Sequence, residues 1–333
     1  MSQALARAWY EGRAWPLLLA PLSLLFALVT ALRHVLYRSG LLRVTHLPVP
    51  VIVVGNISVG GTGKTPLTEA LVTALRARGF HPGVVSRGYG GRAPYHPLRL
   101  TPDMGPEVVG DEPAMLFRRT GVPLVVDPLR ARGAAHLLAS GDCDVILCDD
   151  GLQHLALARD IEIAVVDGAR GFGNGWLLPA GPLREPVRRL HSVDHVVVNG
   201  EGAPWPDALR MRLVAQPWQP LTPDSGGVPP APGSRVHAVA GIGNPGRFFD
   251  MMRAQGFDVV EHAFPDHHVY TAADLAFNDT LPVVMTEKDG VKCRTLSCSR
   301  GWVVPVRAEL PAEFLDRLTG QISALARMKT NAG

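Results

Sequence analysis

Lysine is nearly missing from this chain. Of its 33 basic residues only four are lysines (Lys64, Lys288, Lys292 and Lys329), and the first 287 residues keep a single one. Charge of any kind is thin, at 19% of residues, against a typical ~25%. The net charge of +3 is too small to argue for a nucleic-acid partner. Four cysteines in 333 residues exclude a disulfide-stapled scaffold. Cys143 and Cys148 bracket an apolar run at an odd separation, which turns them to opposite faces of a strand and argues against a shared zinc ion. Reduced thiols in a cytosolic setting are expected for them and for Cys293 and Cys298. Disorder is excluded by an apolar content of 47%. Glycine (35) and proline (29) are plentiful, a loop-rich composition that stays short of low complexity. At roughly 150 residues per domain, the length predicts about two domains.

The charge is unevenly spread. Residues 1–50 hold Arg7, Arg13, Arg33, Arg38 and Arg43 against one acid, Glu11, so the remainder of the chain is close to neutral. Residues 14–32 carry no charge over 19 positions, which reaches the roughly 18-residue threshold for a membrane helix. Pro16 and Pro21 interrupt the first third, so the spacing predicts a helix from Pro21 to about Tyr37, apolar nearly all round and rimmed by arginines. The favoured reading is a helix dipping into one leaflet, with Trp9, Tyr10 and Trp15 at the interface and the arginines toward anionic headgroups. A full span and a buried core helix are the alternatives; a cleaved secretory signal lacks its small-residue cleavage site.

VPVIVVGN (49–56) is a β-branched run suited to a parallel strand buried on both faces. SVGGTGKTP (58–66) follows, and then apolar residues at helical spacing. Strand, glycine-rich loop, Lys-Thr and helix form the context that gives a phosphate-binding loop its meaning. Ser58, Val59, Gly60, Gly61, Thr62 and Gly63 supply the loop, Lys64 the charge for the β- and γ-phosphates, and Thr65 a hydroxyl for Mg2+. The strict GxxxxGK[ST] pattern fails at Ser58, where a glycine is expected. A second Mg2+-organising carboxylate is needed at a neighbouring strand end, and DVILCDD (144–150) offers Asp149 and Asp150. Further strands at 122–126, 161–167 and 193–199 predict an α/β fold, a doubly wound sheet of the P-loop NTPase kind.

Eight motifs in order then resemble the tetraacyldisaccharide 4'-kinase family, the lipid A 4'-kinases of Gram-negative bacteria. They are GNISVGGTGKTP (55–66), SRGYGG (86–91), VGDEP (109–113), CDDGLQH (148–154), LPAGPLREP (178–186), AGIGNPGRFF (240–249), FPDHHVY (264–270) and TEKD (286–289). The family's variant loop also has serine at the position of Ser58. The resemblance implies ATP-dependent phosphorylation, with Mg2+, of the 4'-hydroxyl of a tetraacylated glucosamine disaccharide 1-phosphate, the lipid A disaccharide precursor. It places the work at the cytoplasmic face of the inner membrane, on its lipid surface; no obligate protein partner is evident. Asp111 matches the acid that accepts the sugar hydroxyl proton, and His267 its histidine partner, with His268 next door as the competing register. Arg130, Arg184 and Glu185 match further functional positions: the arginines suit phosphate oxygens, and Glu185 suits the metal or its waters.

The proline-rich stretch 203–234 reads as a linker between a P-loop domain (49–202, after the membrane segment 1–48) and a smaller C-terminal α/β domain (235–333). In the latter, GIGNPG (241–246) fits GxGxxG, with Glu261 where a ribose-binding acid of a dinucleotide fold would sit. Pro245 removes an N–H from that turn, which weakens the nicotinamide reading. A lid that closes over ATP and brings His267 to Asp111 fits better. Lys288 and Lys292 reach nucleotide or solvent. The functional rival is a P-loop ATPase or GTPase switch without a phosphorylated lipid.

Overall fold

The β-branched runs become the centre of a nine-stranded sheet. The computed structural model describes residues 3–202, 205–223, 225, 227–296 and 298–332. Strands, in chain order, are β1 Val51–Gly55, β2 Pro82–Ser86, β3 Leu98–Arg99, β4 Leu124–Val126, β5 Val145–Asp149, β6 Ile161–Asp167, β7 His195–Asn199, β8 Leu209–Ala215, β9 Gln219–Pro220, β10 Arg235–Ala240, β11 Asp258–Ala263, β12 Val283–Thr286, β13 Gly301–Val304 and β14 Val306–Glu309. Helices are α1 Gln3–Tyr10, α2 Ala20–Arg38, α3 Lys64–Arg76, α4 Pro106–Val109, α5 Asp111–Thr120, α6 Arg130–Ala139, α7 Pro245–Ala254, α8 Glu287–Cys293 and α9 Ala312–Ala332.

The large sheet runs β14-β8-β7-β6-β1-β5-β2-β4-β3 and is parallel except at its two edge pairs. Alternation along β1 sends Ile52 and Val54 to one face and Val51 and Val53 to the other. α3, α5 and α9 cover the first face, and α6 the second. Both faces are therefore buried, as a parallel sheet requires. The small sheet runs β11-β10-β12-β13-β9, with α7 packed on one side and α8 on the other.

Sheet membership differs from the expected division. The stretch 203–234 is not a linker throughout, because β8 lies inside it and joins the large sheet. The chain end does not stay with the small sheet either. WVVPV (302–306) reads as one strand, but Pro305 has no N–H to donate and breaks the ladder. β13 stops at Val304, and β14 begins at Val306 in the other sheet. α9 follows it back, with Asp316 pairing Arg78 and Lys329 reaching the Leu47 and Val49 carbonyls and Asp160. β2 escapes a sequence reading because Pro82 and Gly83 open it.

α2 matches the expected helix and holds Pro21 in its first turn. Leu24 and Leu28 are each 65% exposed, and most other apolar side chains of the helix are exposed with them. Ser23 is the buried exception: its hydroxyl donates to the Leu177 carbonyl and accepts from the Ala180 N–H, both at 2.9 Å. Trp9 is not an interfacial anchor. It is buried, and its Nε1 donates to the Pro179 carbonyl. Tyr10 lies under the Arg170 guanidinium, whereas Trp15 is exposed.

Candidate active site

The loop between β1 and α3 is pinned from β7. Asn199 donates to the Thr62 carbonyl at 2.9 Å. Gly63 has φ +99°, and a Cβ there would sit 3.2 Å from Asn199 Cγ and nearer still to its Nδ2, so only glycine fits. The turn delivers Lys64 and Thr65 as the first residues of α3, both buried. On the other flank, LPAGPLREP runs beside the loop: Val59 N–H donates to the Pro182 carbonyl and Arg184 N–H to that of Ile57.

The end of β5 meets this loop. Asp149 lies within 3.3 Å of the Thr65 hydroxyl and 3.1 Å of the Thr68 hydroxyl. Burial first, then the neighbouring Glu112 charge, pushes its carboxyl up to about 7. Asp150 has φ +52°, a strained conformation for a residue with a Cβ. The strain aims its carboxylate at Lys64 (3.5 Å) and Arg184 (3.2 Å). Burial works against its charge, but Lys64 and Arg184 outweigh it and hold the carboxyl below the usual range. Arg130 lies beneath this turn, almost fully buried, and donates to the carbonyls of Asp127, Asp149 and Asp150. Its bonds thus go to backbone, bracing the acid pair. Glu185 is likewise engaged: Gln153 and Arg189 donate to it, and His34 of α2 stands 3.3 Å away. Those partners leave little of its carboxylate for a metal.

Asp111 opens α5 and is 8% exposed. His267 Nδ1 lies 3.1 Å from its Oδ2 across the cleft, and His267 too has positive φ, +61°. The Tyr89 ring packs on the imidazole at 4.8 Å between centroids. His268 turns away, toward Asp274 and the Phe264 ring. The geometry therefore selects His267 as the neighbour of Asp111. Glu112, one residue on, is held by Lys288 at 3.0 Å, and that charge lowers its carboxyl to about 2.

A cavity of ≈ 1100 Å³ opens between the two sheets. Gly61 to Pro66, Glu112, Asn199, Gly243, Arg247 and Lys288 are among its walls. The GIGNPG turn is one wall of it and packs against the phosphate loop: a Cβ on Gly243 would lie 3.1 Å from Gly61 Cα. Glu261 pairs with Arg253 on the surface. Arg247 and Asn244 both reach Asp167, at the end of β6, tying the turn to the large sheet.

A family model described as tetraacyldisaccharide-1-P 4'-kinase matches residues 15–323. The chain belongs to this family. Among curated relatives, the tetraacyldisaccharide 4'-kinase of Hahella chejuensis is 49% identical, over 97% of each chain. That of Stenotrophomonas maltophilia is 51% identical, over 95% of this chain and 96% of its own. A crystal structure of LpxK from Aquifex aeolicus in complex with ATP superposes with TM-score 0.74 at 26% identity, covering 94% of this chain and 99% of that one. The family's α/β fold, with its large parallel sheet, is the fold described above. The cleft also gives the two lysines left between nucleotide and solvent their partners. Lys288 and Lys292, one helical turn apart on α8, face Glu112 and Asp111, and Asp266 joins Lys288. The signal for them was already present: a chain this short of lysine places three of its four at one cleft.

Proposed function

We propose that the chain transfers the γ-phosphoryl group of ATP to the 4'-hydroxyl of a tetraacylated glucosamine disaccharide 1-phosphate, at the cytoplasmic face of the inner membrane. One observation carries this: a buried carboxylate, Asp111, is held by His267 and immediately precedes Glu112, which lines the same cavity as Lys64 and the glycine-rich loop. Phosphoryl transfer needs positioning, charge neutralisation and a group to take the acceptor's proton. Asp111 takes the hydroxyl proton as the sugar oxygen bonds to phosphorus. The bond from phosphorus to the β,γ-bridging oxygen breaks, and ADP leaves with that electron pair. His267 orients the carboxylate and stabilises the charge rearrangement. Lys64 stabilises phosphate oxygens, and Arg184, beside Asp150, reaches the same region.

The donor set suits Mg2+. The Thr65 hydroxyl and the Asp149 carboxyl adjoin, with Asp150 next in the chain, and a cation beside Asp149 would offset the burial that disfavours its charged form. No group of three or more His, Cys, Asp or Glu side chains assembles as a cage among the described residues, in keeping with a metal completed by phosphate and water. Thr65 with Asp149 and Asp150 would hold the ion, which when bound neutralises phosphate charge. Glu185, enclosed by its own partners, contributes to the support of the loop.

The exposed apolar side chains of α2 and the exposed Arg33, Arg38 and Arg43 suit an interfacial helix. The same helix holds the loop 177–185 through Ser23 and His34, so the lipid surface lies beside Arg184. Labelled γ-phosphate from ATP should appear in the lipid disaccharide with wild-type protein and fail to appear with Asp111→Asn. Release of label as free phosphate alone would reject the kinase and favour a hydrolytic switch.

A further inference from the structure

Lys292 is a lysine with an unusual address. Its side chain is 10% exposed, and its Nζ stands 2.9 Å from Asp289 Oδ1 and 3.8 Å from Asp111 Oδ2. The contact with Asp289 is an ion pair without hydrogen-bond alignment, and the buried Nζ has no hydrogen-bond acceptor in the described residues. Asp289 itself is immobilised. It is fully buried, and its Oδ2 takes the Gly241 N–H at 2.9 Å and the Thr286 hydroxyl at 2.6 Å. The Tyr270 ring closes the remaining side, 5.0 Å from Nζ. Lysine so enclosed must have its charge compensated. The carboxylates of Asp289 and Asp111 do that.

His267 and Lys292 converge on the same oxygen of Asp111, Oδ2. Oδ1 has no hydrogen-bond partner among the described residues, which leaves it for an incoming hydroxyl. We propose that Lys292 is a positioning residue for the transfer reaction: anchored by Asp289, it joins His267 in holding Oδ2 of Asp111 and so leaves Oδ1 free for the acceptor hydroxyl. The proposal rests on the kinase reading above. Lys288, one turn earlier, divides the labour differently, since it lines the nucleotide cavity and Lys292 does not.

The test is steady-state kinetics on the full chain with lipid disaccharide and ATP. Lys292→Met should lower kcat by about 100-fold, the scale of a misplaced catalytic group, while KM for ATP stays within about twofold. Lys292→Arg, which can meet both carboxylates, should recover most of kcat. Because both side chains hold one oxygen, Lys292→Met and His267→Ala should be non-additive in a double-mutant cycle. If the methionine variant does not fold, Lys292→Gln carries the same comparison. A kcat within twofold of wild type, an arginine variant no better than the methionine one, or fully multiplicative effects with His267→Ala would overturn the proposal. Failure of the wild-type protein to phosphorylate lipid would instead remove the kinase reading, and is read in the control lane.

Discussion

Gly243→Ala isolates the contact by which the small sheet meets the phosphate loop. The added methyl would stand 3.1 Å from Gly61 Cα and closer to Gly61 N, so backbone meets backbone and no flexible side chain can yield. Gly243 is not among the residues with positive φ, so alanine carries no conformational penalty there and the effect is steric. Overpacking of this kind costs about 1–3 kcal/mol. If closure over nucleotide bears that cost, kcat/KM for ATP falls by roughly 5- to 150-fold, at 1.36 kcal/mol per decade. Gly246→Ala is the internal control: its Cβ would find nothing nearer than Asn244 Oδ1 at 3.7 Å, an ordinary contact. A dinucleotide fingerprint would need both glycines. The assay is initial-rate transfer at varied ATP, with thermal melting alongside to exclude global damage. A Gly243→Ala enzyme within twofold of wild type, or a Gly246→Ala enzyme equally impaired, would refute the reasoning.

Three further outcomes are expected. Asp149, with its carboxyl raised by burial from 3.8 to about 7, binds a proton in the folded chain that the unfolded chain has lost, so its contribution to stability falls as pH rises between those values. Asp149→Asn in metal-free buffer should therefore raise the melting temperature above pH 7, by up to about 4 kcal/mol of stability, with the gain vanishing below pH 4; a pH-independent difference would contradict it. Ser23→Ala strands the Ala180 N–H and the Leu177 carbonyl, a cost of about 1–3 kcal/mol. It should lower kcat while vesicle partitioning is unchanged, and co-sedimentation with turnover measurements separates the two. Leu24→Gln with Leu28→Gln, both on exposed positions, should weaken vesicle binding without altering the melting temperature; unchanged co-sedimentation would deny α2 its membrane role.

Local chemistry was legible where neighbours in sequence are also neighbours in space. The strand, loop and Lys64 form one continuous segment, so the strand-turn-helix geometry could be read directly, and the strand-end acids Asp149 and Asp150 were sought beside it and lie there. The position of Asp111 came from resemblance, since an Asp after glycine looks like any turn residue. Sheet membership was hidden because period-two patterning reports that a strand is half buried and not against which sheet; β8 and β14 are cases of this. Partner choice was hidden too. Glu185 and Arg130 have the chemistry to meet metal and phosphate, but His34 arrives from far upstream and the carbonyls of Asp149 and Asp150 from another strand, and these claim them. Trp9 looked interfacial by composition, until the Pro179 carbonyl gave its indole a buried partner.

The chain leaves the large sheet after Ala215 and re-enters it at Val306, and those two residues are paired across an antiparallel ladder. Gln216 N–H donates to the Pro305 carbonyl at 2.8 Å, so the outgoing and returning strands part company at one hydrogen bond. The small sheet is thus a cassette spliced into an edge hairpin of the large one. Trimming from the C-terminus would strip α9 and β14 from the kinase body while leaving the cassette attached. Cutting it out cleanly means an internal deletion closed by a short turn between β8 and β14, a join whose ends the fold already holds together. That protein would keep its phosphate loop and Asp111 but have neither His267 nor Lys292.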